Sequence, residues 1–409
     1  MFRIDPFPDS IRGATGMAIV AIAACGDGML AGRSSTMVAD SAGIQIVTSD
    51  PWATEAHCAI GDEPILSIGE REGDAPHIFF QVRAAARLSD GAIAVVDGSS
   101  REVRVFAETG AHLVSMGGRG EGPGEFRSSW LLWVLPGDTL WAGDYLPWRF
   151  NIFSADGRFV RSMAPEDFTL HTLIPPGGVL DGGSSVNVTQ ATGGTAGDFA
   201  NPVNYLVIAH DPDGGVLDTL ATLPGKRLGS LPGFAGFVEP LFEASSLVAA
   251  RSSTVAMTTA REPEVRILDG SFRLRRIIRW ADPDRAVTRV HVQAAHEDYI
   301  ARHGGPGSPG WSAGHDAAIS DNRPVADAFP TASDLMIGRD GHLWLKRYAR
   351  PGEEPSWVAF RADGDFYCHF RPGPELTPLE FGAAYLLALH RDDVGVERVV
   401  MYNLTRDSG

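Results

Sequence analysis

The sequence predicts an all-β fold assembled from repeated small sheets, and three observations predict it. The 47 glycines and 27 prolines among 409 residues exceed what long helices tolerate, whereas short strands and tight turns use both. Apolar residues alternate with polar ones in short runs bounded by turn residues, the period of half-buried strands. One such run repeats: SDGAIAVVDGSSREVRVFAETGAHLVSM from Ser89 aligns without a gap on PGDTLWAGDYLPWRFNIFSADGRFVRSM from Pro136. Asp97 falls on Asp144, Phe106 on Phe153, Gly110 on Gly157 and Met116 on Met163, all at an offset of 47 residues.

Each copy reads as strand, turn, strand, turn, strand, the last turn being a glycine hairpin. Weaker copies follow. Tyr205 to Leu223 keeps the hairpin with Gly214, and Thr254 to Ile278 keeps it with Phe272 where the turn glycine belongs. Asp340 to Phe370 restores the pattern with four extra residues before its second strand, and Ala383 to Leu404 supplies a last pair of strands. Five full units and one incomplete unit call for closure, because an open sheet leaves edge strands unpaired. GIQIVTSD (Gly43 to Asp50) or PILSIG (Pro64 to Gly69) is available to complete the last unit. The expectation is a six-bladed β-propeller over 43–409, closed by the N-terminal strand, with one short inserted helix.

Between the first two copies lies GGRGEGPGEF, residues 117–126. It joins strand to strand, whereas a phosphate-cradling glycine loop must lead from a strand into a helix. It therefore reads as a crossover between units, with Glu125 and Phe126 anchoring the next one. The DG turn, the apolar strand ending in Asp, the VFxxxG segment and GxGPGEF together resemble the NHL-like six-bladed propeller lipoproteins of environmental Gram-negative bacteria, from about Trp52 to Leu404. Most members of that family have no assigned activity, so the resemblance implies a fold and leaves function open.

The N-terminus reads as an address. Arg3 and Arg12 precede the apolar run Met17 to Ala24, too short for a membrane span and suited to a signal peptide over 1–24. Ile22-Ala23-Ala24-Cys25 resembles a bacterial lipobox, which implies lipidation of Cys25 and a tether over 25–42. The protein is then expected in the cell envelope, held to a membrane by its lipid and facing the periplasm or the exterior. Cys58 and Cys368 remain as a possible disulfide in that oxidising compartment. A net charge of −16 without a basic run argues against nucleic acid as a partner.

Four candidates for chemistry follow. GWSAG, Gly310 to Gly314, spells a nucleophile elbow, but it follows a glycine-rich loop instead of a strand. Asp282 to Gly305 reads as the inserted helix with Asp282 as its cap. It carries His296 and Glu297, yet Ile300 breaks the HExxH zinc pattern. A channel calcium, of the kind held by six-bladed lactonases through scattered Asn, Asp and Glu side chains, would leave no local motif. Tyr145 and Trp148 lie in a turn, where aromatics can form a ligand surface. The expected function is a binding or scaffolding module for a peptide, glycan or protein; the alternative is a calcium-dependent lactonase-like hydrolase or lyase.

Overall fold

The computed structural model describes residues 36–145, 148–168, 177–191 and 198–407. Cys25 and the signal and tether segments before residue 36 lie outside them. Two short α-helices are described, Arg289–His303 (α1) and Ala313–Ala318 (α2), and the rest of the regular structure is almost entirely strand. No described helix is long and apolar enough to cross a membrane.

The strands follow one another as antiparallel meanders spanning 82–117, 129–163, 178–229, 247–280 and 334–370. Three further strands, Leu376–Phe381, Tyr385–Arg391 and Glu397–Asp407, form the last meander. Leu66–Ile68, inside the PILSIG segment, pairs antiparallel with Glu397–Asp407 through Leu66↔Met401 and Ile68↔Val399. Ile44–Ser49, inside GIQIVTSD, instead runs parallel to the outer strand Leu274–Trp280, and Met37–Ser41 covers its free edge. His57–Ile60 lies between Phe366–Phe370 and Glu397–Asp407.

Hydrophobic cores lie between consecutive meanders rather than within them. Val96, Val105, Phe126, Leu140 and Phe153 join the first to the second, and comparable clusters follow at the next junctions. A further cluster places Leu387, Val399 and Met401 of the last meander against Ile93, Val95 and Phe106 of the first, with Leu66 and Ile68 between. A strand inside such a stack has neighbours on both faces and reads as a nearly continuous apolar run, as in Ile93–Asp97, every residue of which is buried.

The repeated aspartates serve this packing. Asp97 is buried and accepts the backbone N–H groups of Gln81 at 3.3 Å and Ser99 at 3.0 Å, with Arg104 at 3.5 Å. Asp144 accepts from Arg127 at 3.0 Å and Ser128 at 2.7 Å, with Arg149 at 3.3 Å. Each aspartate thus fastens the start of the first strand of its own meander, so their recurrence is structural.

The 117–126 loop makes the expected crossover. Gly117 has φ +94°, and a Cβ there would lie 2.5 Å from the ring of Phe126, which is fully buried. The Glu125 carboxylate accepts from Gly122 N–H at 2.8 Å, and its carbonyl accepts from Arg149 and Asn151. In the hairpins, Gly157 at φ +83° rests against Val114 and Met116 of the preceding outer strand. Phe272 holds the same left-handed conformation at φ +59°, so the degenerate copy keeps the turn at a steric cost.

Candidate functional site: the wide end of the central channel

The first strands Val82–Arg87, Ser129–Leu135, Leu247–Ser252, Asp334–Ile337 and Leu376–Phe381, with Gly177 and Val188 of the third meander, surround one cavity of about 360 Å³. Small residues, Ala84, Ala85, Ala249 and Ala250, stand where these strands converge. The wide part is lined by residues that begin the strands, and a narrow cavity of about 40 Å³ by residues that end them, including Ala86, Val134, Ser252 and Glu380.

A buried ion network occupies the narrow end. Glu380, 2% exposed, takes Arg251 at 2.6 Å, Arg339 at 3.1 Å, the Tyr385 hydroxyl at 2.7 Å and the Arg87 N–H at 3.1 Å. Burial alone would raise the Glu380 pKa, but the two guanidiniums and the hydrogen bonds hold it below the usual carboxylate range. The Tyr385 hydroxyl, desolvated beside that carboxylate, is pushed well above its ordinary pKa. These groups neutralise one another and make this end a support.

The wide end is different. Leu131, Leu132, Trp133, Met336 and Leu379 give it apolar walls, while Arg83 and Asp334 bring charge to its mouth. The Arg83 guanidinium stacks 4.2 Å over Trp130 and donates to Gln81 at 3.1 Å. Asp334 is exposed at the cavity wall yet closely surrounded by protein. This partial dehydration pushes its carboxyl pKa up, against the Leu335 N–H bond and the pull of Lys346 on the paired strand. An apolar cleft carrying a few placed polar groups is the usual character of a ligand site.

The chain adds material at this end. Residues 281–333 join the end of an outer strand to the start of the next first strand, so the insertion carrying α1 and α2 emerges here. Asp198–His210 and Val216–Gly229, 13 and 14 residues long, also reach beyond the five to seven residues of most neighbours. Ala286↔Ala328 closes the insertion on itself, Leu241↔Val325 ties it to the 230–246 connection, and Gly229↔Val238 ties that connection to the long strand.

The sequence-derived candidates fare unevenly. Tyr145 and Trp148 are core residues, 8% and 7% exposed; Tyr145 packs on Trp130 and Trp148, and the Trp148 Nε1 donates to Asn187 at 3.1 Å. Their side chains fill the space between meanders, so neither offers a free face. The inserted helix begins at Arg289 after Thr288, not at Asp282, whose side chain lies 3.8 Å from Arg285. Its termination at Gly304, φ +86°, agrees with the sequence.

Ser312 precedes α2 and its Oγ lies 2.8 Å from His315 Nδ1, but the same Nδ1 also takes the Ser312 N–H at 3.2 Å. Asp316 bonds Trp311 instead of His315. The trio is thus a helix cap in a loop, not a nucleophile on a strand. Cys58 and Cys368 do form a disulfide, with Cα atoms 5.6 Å apart.

Calcium requires six to eight oxygens around one point. Among the described residues no three His, Cys, Asp or Glu side chains converge on such a point. The channel's carboxylates are separated, with Asp334 at the wide end and Asp181 and Glu380 at the narrow end, where Glu380 is engaged by arginines. Among the described residues, then, the channel's carboxylates do not cluster at one point. Arg83 and Asp334 escaped the sequence reading because the repeat was aligned from the second strand of each unit, leaving the channel-lining strands unaligned.

No family model matches the chain, and no curated protein matches it. Solved structures do. A member of the DUF4221 family from Bacteroides vulgatus superposes with a TM-score of 0.52 at 7% identity, covering 87% of this chain and 99% of its own. A candidate exported protein of Bacteroides fragilis gives 0.48 at 10%, covering 88% and 99%. A gluconolactonase from Xanthomonas campestris gives 0.34 at 12%, covering 80% and 88%. At these identities the likeness concerns fold alone, and that fold is a β-propeller.

Proposed function

We propose that this β-propeller is an exported, lipid-anchored binding module of the NHL-like kind, with six blades, that receives a peptide, glycan or protein ligand at the wide end of its channel. The observation that carries the proposal is the channel mouth itself: apolar walls, an arginine stacked on Trp130, one partly dehydrated carboxylate at Asp334, and no converging set of acids among the described residues. Such a lining suits recognition by shape and charge better than metal-assisted hydrolysis. The six-bladed count draws support from the succession of meanders and from the core between the last and the first. Closure by the N-terminal strand draws on the pairing of Leu66–Ile68 with Glu397–Asp407. Anchoring rests on the Ile22 to Cys25 motif, and export on the signal-like run before it.

The test uses the soluble protein from residue 36 onward on peptide and oligosaccharide arrays, comparing it with Arg83→Ala and Asp334→Asn. Retention of a defined ligand class, weakened at least about tenfold by either change, is the expected result. A thermal melt with calcium and with chelator runs alongside. A stoichiometric calcium whose removal lowers Tm, together with turnover of a lactone, would replace the binding module by the lactonase-like reading.

A further inference from the structure

A second cavity lies away from the channel, where the insertion meets the body of the molecule. It has a volume of about 140 Å³ and is lined by Arg227, Glu243, Arg261, Arg285, Asp327 and Phe329, among others. Arg227 comes from the long outer strand, Arg261 from the turn after Thr254–Thr258, and Arg285, Asp327 and Phe329 from the insertion. Three distant parts of the chain thus bring three guanidiniums to one small space.

The donors are unevenly used. Arg227 holds the buried Glu243 carboxylate by a fork, Nε to Oε1 at 3.0 Å and Nη2 to Oε2 at 2.7 Å. Arg285 spends Nη1 on the carbonyls of Arg261 and Phe329. Arg261 gives Nη2 to the Gly225 carbonyl at 2.9 Å and reaches Glu243 only at 3.4 Å, while its Nε is buried with no hydrogen-bond partner. A buried cationic donor left unpaired is costly, and a charge-assisted bond to an anion is what would complete it. Burial lowers its pKa; the neighbouring Glu243 offsets part of that and Arg227 adds to it. Arg347 and Arg350 stand next to it around Asp282, with Arg350 over the Phe329 ring. Five arginines therefore gather around Glu243, Asp282, Asp327 and Glu353, the last paired with Arg350 at 3.9 Å.

We propose that this cavity is a carboxylate-binding site: the carboxylate of a small organic acid or of a peptide C-terminus enters beside Arg261, accepts from its guanidinium, and lies against Phe329. Glu243 shows which group the arginine clamp accepts, because its own carboxylate already fills the Arg227 side. The volume admits several waters or an acid of similar bulk, so a ligand must displace water to bind. Since the lining comes from both the insertion and the body, occupancy would fasten one to the other.

The test titrates the protein from residue 36 onward with succinate, with the tripeptide Ala-Ala-Ala, with its C-terminal amide and with inorganic phosphate, all at constant ionic strength. Calorimetry and the shift in Tm are recorded. Saturable binding of succinate or of the free-acid peptide is expected, and which of the two binds more tightly identifies the source of the carboxylate. Arg261→Gln should weaken that binding at least tenfold while Arg158→Ala, at an exposed hairpin arginine, leaves it unchanged. Equal binding of the amide, equal binding of phosphate, or affinity indifferent to Arg261→Gln would overturn the proposal, as would no saturable binding in the millimolar range. Should Arg261→Gln fail to fold, the ¹⁵N spectrum of the unaltered protein decides: a ligand-dependent shift of a single arginine Nε–H resonance supports the site, and an unmoved set refutes it.

Discussion

At residue 117 the backbone and the core make one demand together. A side chain at Gly117 would meet both a left-handed backbone and the Phe126 ring at 2.5 Å, so neither strain can relax without disturbing the other. Gly117→Ala should lower stability by about 2 kcal/mol or more, read from denaturant midpoints at unchanged m-value. Glu380 makes a different kind of demand. Its folded pKa is depressed, so its contribution is present above the ordinary value of 4.5 and fades as pH falls through the folded value. Glu380→Gln leaves two buried-facing arginines without their acid and should cost about 3 kcal/mol at pH 7. Melts at pH 7 and below pH 4 should show the gap between variant and parent closing in acid; a gap that persists unchanged would remove the ion network from the account.

Among elements, the repeat was legible wherever turn chemistry and strand period agreed. Gly110, Gly157 and Gly214 marked hairpins that the structure forms, and Phe272 marked one that forms in spite of its residue. Phe272→Gly removes the left-handed penalty of about 1–2 kcal/mol but also part of the ring's packing against the neighbouring core, so its net effect on stability should stay within about 1 kcal/mol. Equilibrium unfolding of the pair measures it. Helix α1 was misplaced at its start because Asp282 looks like a cap by type, whereas Arg285 and burial engage its side chain elsewhere. None of the residues of α1 is buried, although His291 touches Phe329. Its amides should exchange with deuterium much faster than those of Ile93–Asp97, and equal protection would mean that a partner covers the helix.

For the molecule as a whole, sequence periodicity reveals what repeats and conceals what converges. The stacked sheets were readable because each copy carries the same local signals. The channel mouth and the arginine cavity were not, because Arg83 and Asp334, or Arg227, Arg261 and Arg285, are brought together by the stacking of units far apart in the chain. The buried face of Trp148 was hidden for the same reason: its neighbour Asn187 belongs to the next meander. Global constraint should show in the disulfide. Replacing Cys58 and Cys368 by serine releases a link between positions 310 residues apart and should cost about 2–5 kcal/mol, seen as a lower Tm under oxidising conditions and no difference under reducing ones. Cys25→Ser tests the anchor, with the expected outcome that the protein moves from the membrane to the soluble fraction.

The strand His57–Ile60 has a consequence for the order in which the protein is made. It lies between Phe366–Phe370 and Glu397–Asp407 and carries one half of the disulfide. A chain synthesised from its N-terminus delivers this strand early and both of its neighbours late. Until some three hundred further residues arrive, Cys58 waits as a thiol and its strand as an unpaired edge, open to wrong partners. The Cys58–Cys368 link can therefore close only after residue 368 has been made, and a ribosome that stops short of Cys368 releases a product that no oxidant can lock.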